Sequence, residues 1–151
     1  MVKSVKAVNN LMNKSAGVGI TYNGSILLAK RCKYCHLTGD LVKFPEYWSV
    51  FTGSLDSDES SRECASRELF EEAHIKLDPK KLSFVKSIHN ETGTLELFFY
   101  DSNILLYPKL NEEHTQYGWF KIDTLDSFHE LIDKDIVSAI KKWHGICKYI
   151  Y

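Results

Sequence analysis

The stretch RELFEEAHI, residues 67–75, constrains this chain more than any other. It carries glutamates at 68, 71 and 72. On an ideal helix, turning about 100° per residue, these three fall on one face, because positions three and four apart are neighbours. Ala65, Leu69 and Ala73 run beside them as a narrow apolar stripe of small side chains, suited to close approach by a sheet. The carboxylates therefore border a buried face. Unpaired, they repel by a few tenths of a kcal/mol per pair in water, and by more once desolvated. A solvated acidic face is the plainer alternative. A divalent cation resolves the conflict at a docked face: Mg²⁺ and Mn²⁺ favour hard oxygen ligands. Such an ion grips phosphate oxygens, acidifies a bound water and offsets transition-state charge, which suits chemistry on a pyrophosphate.

The rest of the chain predicts a frame for that helix. The 151 residues suit one domain, 1–151. Nineteen basic against 20 acidic side chains leave a formal charge of −1, which argues against a protein that coats long nucleic acid or an anionic membrane. No apolar run approaches the 18 or so residues of a membrane span, and the N-terminal stretch lacks a signal-peptide pattern. The expectation is a cytoplasmic protein with reduced thiols. Residues 16–31 read as a hairpin turning at Asn23-Gly24. Residues 32–46 read as loop and 47–52 as a strand. A helix is expected over about 60–73, with Asp56, Ser57, Asp58 or the Ser60–Glu63 capping box as its start. Strands follow near 82–90, 95–101, 103–107 and 117–122, then a helix over 134–144. The tail 145–151 stays unassigned. This order predicts an α/β fold, a mixed sheet covered by helices.

Read outward, the segment is GSLDSDESSRECASRELFEEAHI, 53–75: Gly53, Glu59 after five residues, then Arg67-Glu68-Leu69, Glu71-Glu72 and Ile75. It resembles the Nudix box. That resemblance implies an α/β/α sandwich with a mixed β-sheet. It also implies hydrolysis of nucleoside diphosphates linked to another group, with Mg²⁺ or Mn²⁺ required. Carried over by position, Glu68, Glu71 and Glu72 are metal ligands and the Gly53 carbonyl a further one. Arg67 and Glu59 orient the carboxylates, although a purely structural ion pair reads nearly as well. The departure is His74, where the family has a glycine that ends the helix in the left-handed conformation. A histidine there costs roughly 1 kcal/mol, and an altered helix end rather than a lost site is expected. Relatives often take another glutamate from a loop some way after the box. Glu113 in NEEHTQYGWF is the expected base or extra ligand, with Glu112 as runner-up.

For substrate binding, Arg31, Phe44, Trp48 and Tyr117 are the leading residues, with Lys33, Tyr34 and Tyr47 also in range. The expected substrate is a small nucleotide, best ADP-ribose and diadenosine polyphosphates. Alternatives are nucleoside triphosphates, an RNA 5′ end, or binding without catalysis on the same fold. Asn90 and Thr92 stand where two substrate-marking residues of relatives would fall. The whole chain also resembles a Nudix hydrolase of T-even bacteriophages, which would set it in a host cytoplasm. Homodimerisation is left open. Cys32, Cys35 and His36 form a decoy: CKYCH matches a haem-attachment pattern and supplies three zinc ligands, but reduced loop thiols explain it best.

Overall fold

The computed structural model describes residues 13–128, 130 and 132–150. The N-terminal reading falls largely on residues 1–12, outside the described residues. Strands β1 (Lys14–Tyr22) and β2 (Ser25–Arg31) form the expected hairpin. Asn23 and Gly24 both take positive φ, 49° and 79°, as a tight turn between twisted strands requires. The expected strand over 47–52 is split. β3 (Trp48–Ser49) pairs with β2, and β4 (Phe51–Ser54) pairs with β1, so the chain changes partner at Val50. Helix α1 (Ser61–Ala73) follows, then a 3-10 turn at Pro79–Lys81. β5 (Ser83–Asn90), β6 (Gly93–Asp101) and β7 (His114–Lys121) come next, with a second 3-10 turn at Ile122–Ser127. Helix α2 (Lys134–Ile150) takes in residues 145–150 of the tail that periodicity left unassigned; Tyr151 lies outside the described residues.

The expected strand over 103–107 does not form. Ser102 Oγ donates to the Ile104 carbonyl and accepts from its N–H, turning the chain away from the sheet. Among the described residues, seven strands make one mixed sheet of order β3-β2-β1-β6-β5, with β4 extending from β1 and β7 from β2. The β1–β6 pair is parallel, Lys14 opposite Thr94 through Thr21 opposite Asp101, and the other pairs are antiparallel.

Strand alternation sends neighbouring residues to opposite faces. Leu27 and Ala29 pack with Val18, Phe51, Ala65, Leu69 and Ala73 under α1. Ile26 and Leu28 pack with Val50, Phe99, Ile136, Ile140 and Trp143 under α2. The result is the expected α/β/α sandwich. No described helix is long and apolar enough to cross a membrane.

Candidate active site

Helix α1 starts at Ser60, whose Oγ accepts from the Glu63 N–H (3.1 Å) while Glu63 Oε1 accepts from the Ser60 N–H (2.9 Å). This capping box sets the helix register. The stripe Ala65, Leu69, Ala73 is fully buried against β1 and β4. Glu68 and Glu72, at its border, are carried inward with it and are 8% and 1% exposed, while Glu71 stays outside. Gly53, on β4, lies directly beneath Glu68: a Cβ there would stand 2.1 Å from the Glu68 carboxyl carbon. Only glycine lets that carboxylate lie on the strand.

Arg67 organises the outer rim. Its Nε and Nη2 donate to the two Glu59 oxygens at 2.6 and 2.9 Å, a bidentate pair. Nη2 also donates to the Ser54 carbonyl (3.1 Å), and Nη1 donates to Glu68 Oε1 (2.9 Å) and to Glu71 (3.2 Å). The guanidinium holds the Glu59 carboxyl at about 2, well below its usual range, and the carboxylates in turn raise Arg67. Glu72 is pushed the other way. Burial raises it well above the carboxylate range, a hydrogen bond with Glu68 and the charge of Glu113 add to this, and Arg31 opposes.

The second wall comes from the loop before β7. Asn111 docks it: its side-chain N–H₂ donates to the Glu71 carbonyl (3.1 Å) and to Glu113 Oε2 (3.3 Å), and its Oδ1 accepts from the Glu113 N–H (2.9 Å). Glu113 therefore stands by the helix. Glu112 instead pairs with His36 (3.2 Å). His114, the first residue of β7, is buried with Nδ1 3.9 Å from Glu72 Oε1. Burial, helped by Arg31, lowers its pKa to about 4, so the ring is neutral. Asn111 and His114 were missed in the sequence; the run NEEH drew attention to its acids, and nothing in its pattern sets the histidine inward.

The donor set fits a hard divalent cation. Glu68 and Glu72 adjoin in a buried place, where a cation would favour ionisation of both, and Glu72 Oε2 has no hydrogen-bond partner among the described residues. Among those residues no three His, Cys, Asp or Glu side chains already converge into a coordination shell. Arg67 accounts for part of this, since it holds Glu68 and Glu71 to itself.

The substrate residues separate. Arg31, Phe44 and Tyr47 line a cavity of about 130 Å³ with Ser49, Thr52 and Asp133. The Phe44 and Tyr47 rings lie 5.3 Å apart, and Phe44 and Glu46 both hold positive φ, 53° and 61°. Such strain in non-glycine residues concentrates at ligand sites. Tyr117 is half-exposed on β7 opposite Ala29. Trp48 departs from the expectation of a stacking surface. It is a core residue, edge-on to Phe120 and Phe128 and donating its indole N–H to Glu130 (3.2 Å). Its apolar bulk is used where α2's side of the sheet needs filling. The four cysteines are free thiols.

The NUDIX domain profile matches residues 12–140 of the chain. A search of curated proteins gave no match. Among solved structures, a Caenorhabditis elegans Ap4A hydrolase in binary complex superposes with a TM-score of 0.70 at 18% identity, over 89% of this chain and 98% of that one. A MutT NUDIX hydrolase from Burkholderia pseudomallei gives 0.66 at 20% identity, over 86% and 96%. A MutT protein from Methanosarcina mazei gives 0.60 at 23%, over 80% and 84%. At these identities the likeness is one of fold.

Proposed function

With the chain belonging to the NUDIX family, and so a Nudix pyrophosphohydrolase, we propose that it cleaves nucleoside diphosphates joined to a second moiety, ADP-ribose and diadenosine polyphosphates foremost, releasing a nucleoside monophosphate. Arg31 carries this reading. Its charge acts on Glu72 and His114, while its side chain lines the cavity walled by Phe44 and Tyr47. The charge of one guanidinium thus acts on the buried glutamate side while its side chain lines the aromatic cavity. A flat base stacks on the aromatic side, worth about 1–3 kcal/mol. The attached diphosphate then reaches Arg31 and lies toward the glutamates.

Mg²⁺ or Mn²⁺, held by Glu68, Glu71 and Glu72 with the Gly53 carbonyl as a further ligand, would supply charge neutralisation of the diphosphate and of the transition state. Arg67 and Glu59 keep the carboxylates turned to the site. Glu113, anchored through Asn111, takes the proton of the attacking water. Arg31 offsets charge on the departing phosphate. Tyr117 flanks the nucleotide from β7. The same reading takes residues 1–151 as one Nudix domain and makes the substrate a small cytoplasmic nucleotide.

The test is a nucleotide panel with Mg²⁺ or Mn²⁺ in water enriched in heavy oxygen, with products weighed by mass spectrometry. The expected product is a nucleoside monophosphate, and the heavy atom marks the phosphorus attacked. Pyrophosphate released from triphosphates alone would move the assignment to triphosphate hydrolysis. No release from any nucleotide would leave a binding module.

A further inference from the structure

Three buried polar atoms at the site lack a hydrogen-bond partner among the described residues: Glu72 Oε2 and both ring nitrogens of His114. A buried group left unsatisfied carries its full desolvation cost, so each needs an explanation. The two side chains face each other, 2% and 1% exposed, with His114 Nδ1 3.9 Å from Glu72 Oε1. That separation is somewhat longer than a hydrogen bond. The imidazole is held by its surroundings: it lies edge-on to Phe51, centroids 5.3 Å apart at 76°, and its backbone is paired opposite Arg31 of β2. A histidine kept only to fill space would gain by giving one nitrogen a carbonyl or hydroxyl partner. This one has instead the buried Glu72 carboxyl of the box helix 3.9 Å from Nδ1.

We propose that His114 is a positioning residue for the hydrolysis: its imidazole donates the Nδ1 proton to Glu72 Oε1, fixes the rotation of that carboxyl group and leaves Oε2 free for the cation. The inference rests on the reading of Glu72 as a ligand. A carboxylate shared between an N–H and a cation cannot turn, and such outer partners sharpen both affinity and geometry. Nε2 remains an acceptor. The arrangement joins the two walls of the site: Glu72 belongs to α1, while His114 opens β7 directly after Glu113, the proposed base at the end of the preceding loop.

Two measurements decide it. In the metal-free protein, long-range ¹H–¹⁵N NMR of the imidazole reads the tautomer. The Nδ1–H form is expected, with a resonance that moves in Glu72→Gln; the Nε2–H form, or a resonance that stays put, overturns the proposal. Mn²⁺ affinity is then followed by electron paramagnetic resonance without substrate. His114→Phe should weaken it about 10–100-fold. His114→Asn, whose amide N–H can stand in for Nδ1, should restore most of the loss. Undiminished affinity in a folded His114→Phe, or equal loss in both variants, overturns it too. If His114→Phe does not fold, the tautomer and His114→Asn carry the decision. If the wild type takes up no Mn²⁺, the reading of the glutamates as ligands fails, while the tautomer still decides the link from His114 to Glu72.

Discussion

Glu72 is where burial and charge conflict most sharply, because a carboxylate with 1% exposure sits beside Glu68 and within reach of Glu113. Glu72→Gln removes the charge and keeps the volume. Activity should fall by more than about 100-fold, since even outer partners of a metal cost 10–100-fold. The melting temperature of the metal-free protein should hold, because burial already keeps Glu72 protonated and the amide keeps its volume. Wild-type rates in saturating Mg²⁺ would remove Glu72 from the ligands. Glu113→Gln should lower kcat by about 10²–10⁴-fold near neutral pH, with Mn²⁺ affinity changed much less. A collapse of affinity would make Glu113 a ligand instead of the base. Glu59 offers a test through pH. Its folded value is about 2, below its value of 4.5 in the absence of such contacts. The stability it contributes is therefore complete above pH 4.5 and lost as pH falls toward 2. In Glu59→Gln that part of the acid dependence, about 2–3 kcal/mol, should be missing from urea melts taken between those limits.

At the scale of elements, α1 and β4 work as one unit. The Ala65–Leu69–Ala73 stripe lets the helix approach the sheet, and Gly53 lets Glu68 lie on the strand. A methyl group at 53 would collide with the carboxylate itself. Gly53→Ala should therefore abolish most activity and Mn²⁺ binding while circular dichroism stays native; retained activity would show that Glu68 can move aside without loss. The other end of α1 is closed by His74 at φ 56°, ψ 32°, the left-handed conformation expected where relatives carry glycine. Its N–H still donates to the Phe70 carbonyl (2.9 Å), and its Nδ1 lies 3.2 Å from the Lys109 carbonyl. Against the expectation of an altered end, the helix keeps the ordinary left-handed one, because the backbone cap bond survives the change of side chain. His74→Gly should stabilise the protein by at most about 1 kcal/mol in urea melts, strain relief being partly offset by glycine's greater unfolded-state freedom. The helix was legible because its period, cap and stripe are local. The strand expected at 103–107 failed for a local reason too: the Ser102 turn outweighs a run of β-prone side chains.

Across the whole molecule, the sheet relates the aromatic cavity to the buried glutamates through one arginine. Arg31, at the end of β2, lines the aromatic cavity while its charge reaches Glu72 and His114. Phe44 sits in a loop with backbone strain and is 46% exposed, so its ring is available to a ligand. Phe44→Ala should raise KM for the best substrate by about 5–100-fold, the worth of one stacking contact, with kcat nearly unchanged. An unchanged KM would move the base elsewhere, with Tyr117 the next ring to test.

The sequence by itself determined the α/β class, the helix with its three glutamates, and the chemistry those carboxylates invite, because a 3.6-residue period and a capping box are properties of neighbouring residues. It also marked Glu113 and Arg31 as worth following. Tertiary structure alone decided that Glu68 and Glu72 are buried while Glu71 is not, that Trp48 fills the core, and that Asn111 and His114 belong beside the helix. Those outcomes depend on which strands pair and which face each residue takes, and the partners lie about 40 residues apart in the chain for Asn111 and Glu71. Periodicity along one segment carries no information about a neighbour brought there by pairing of β2 with β7.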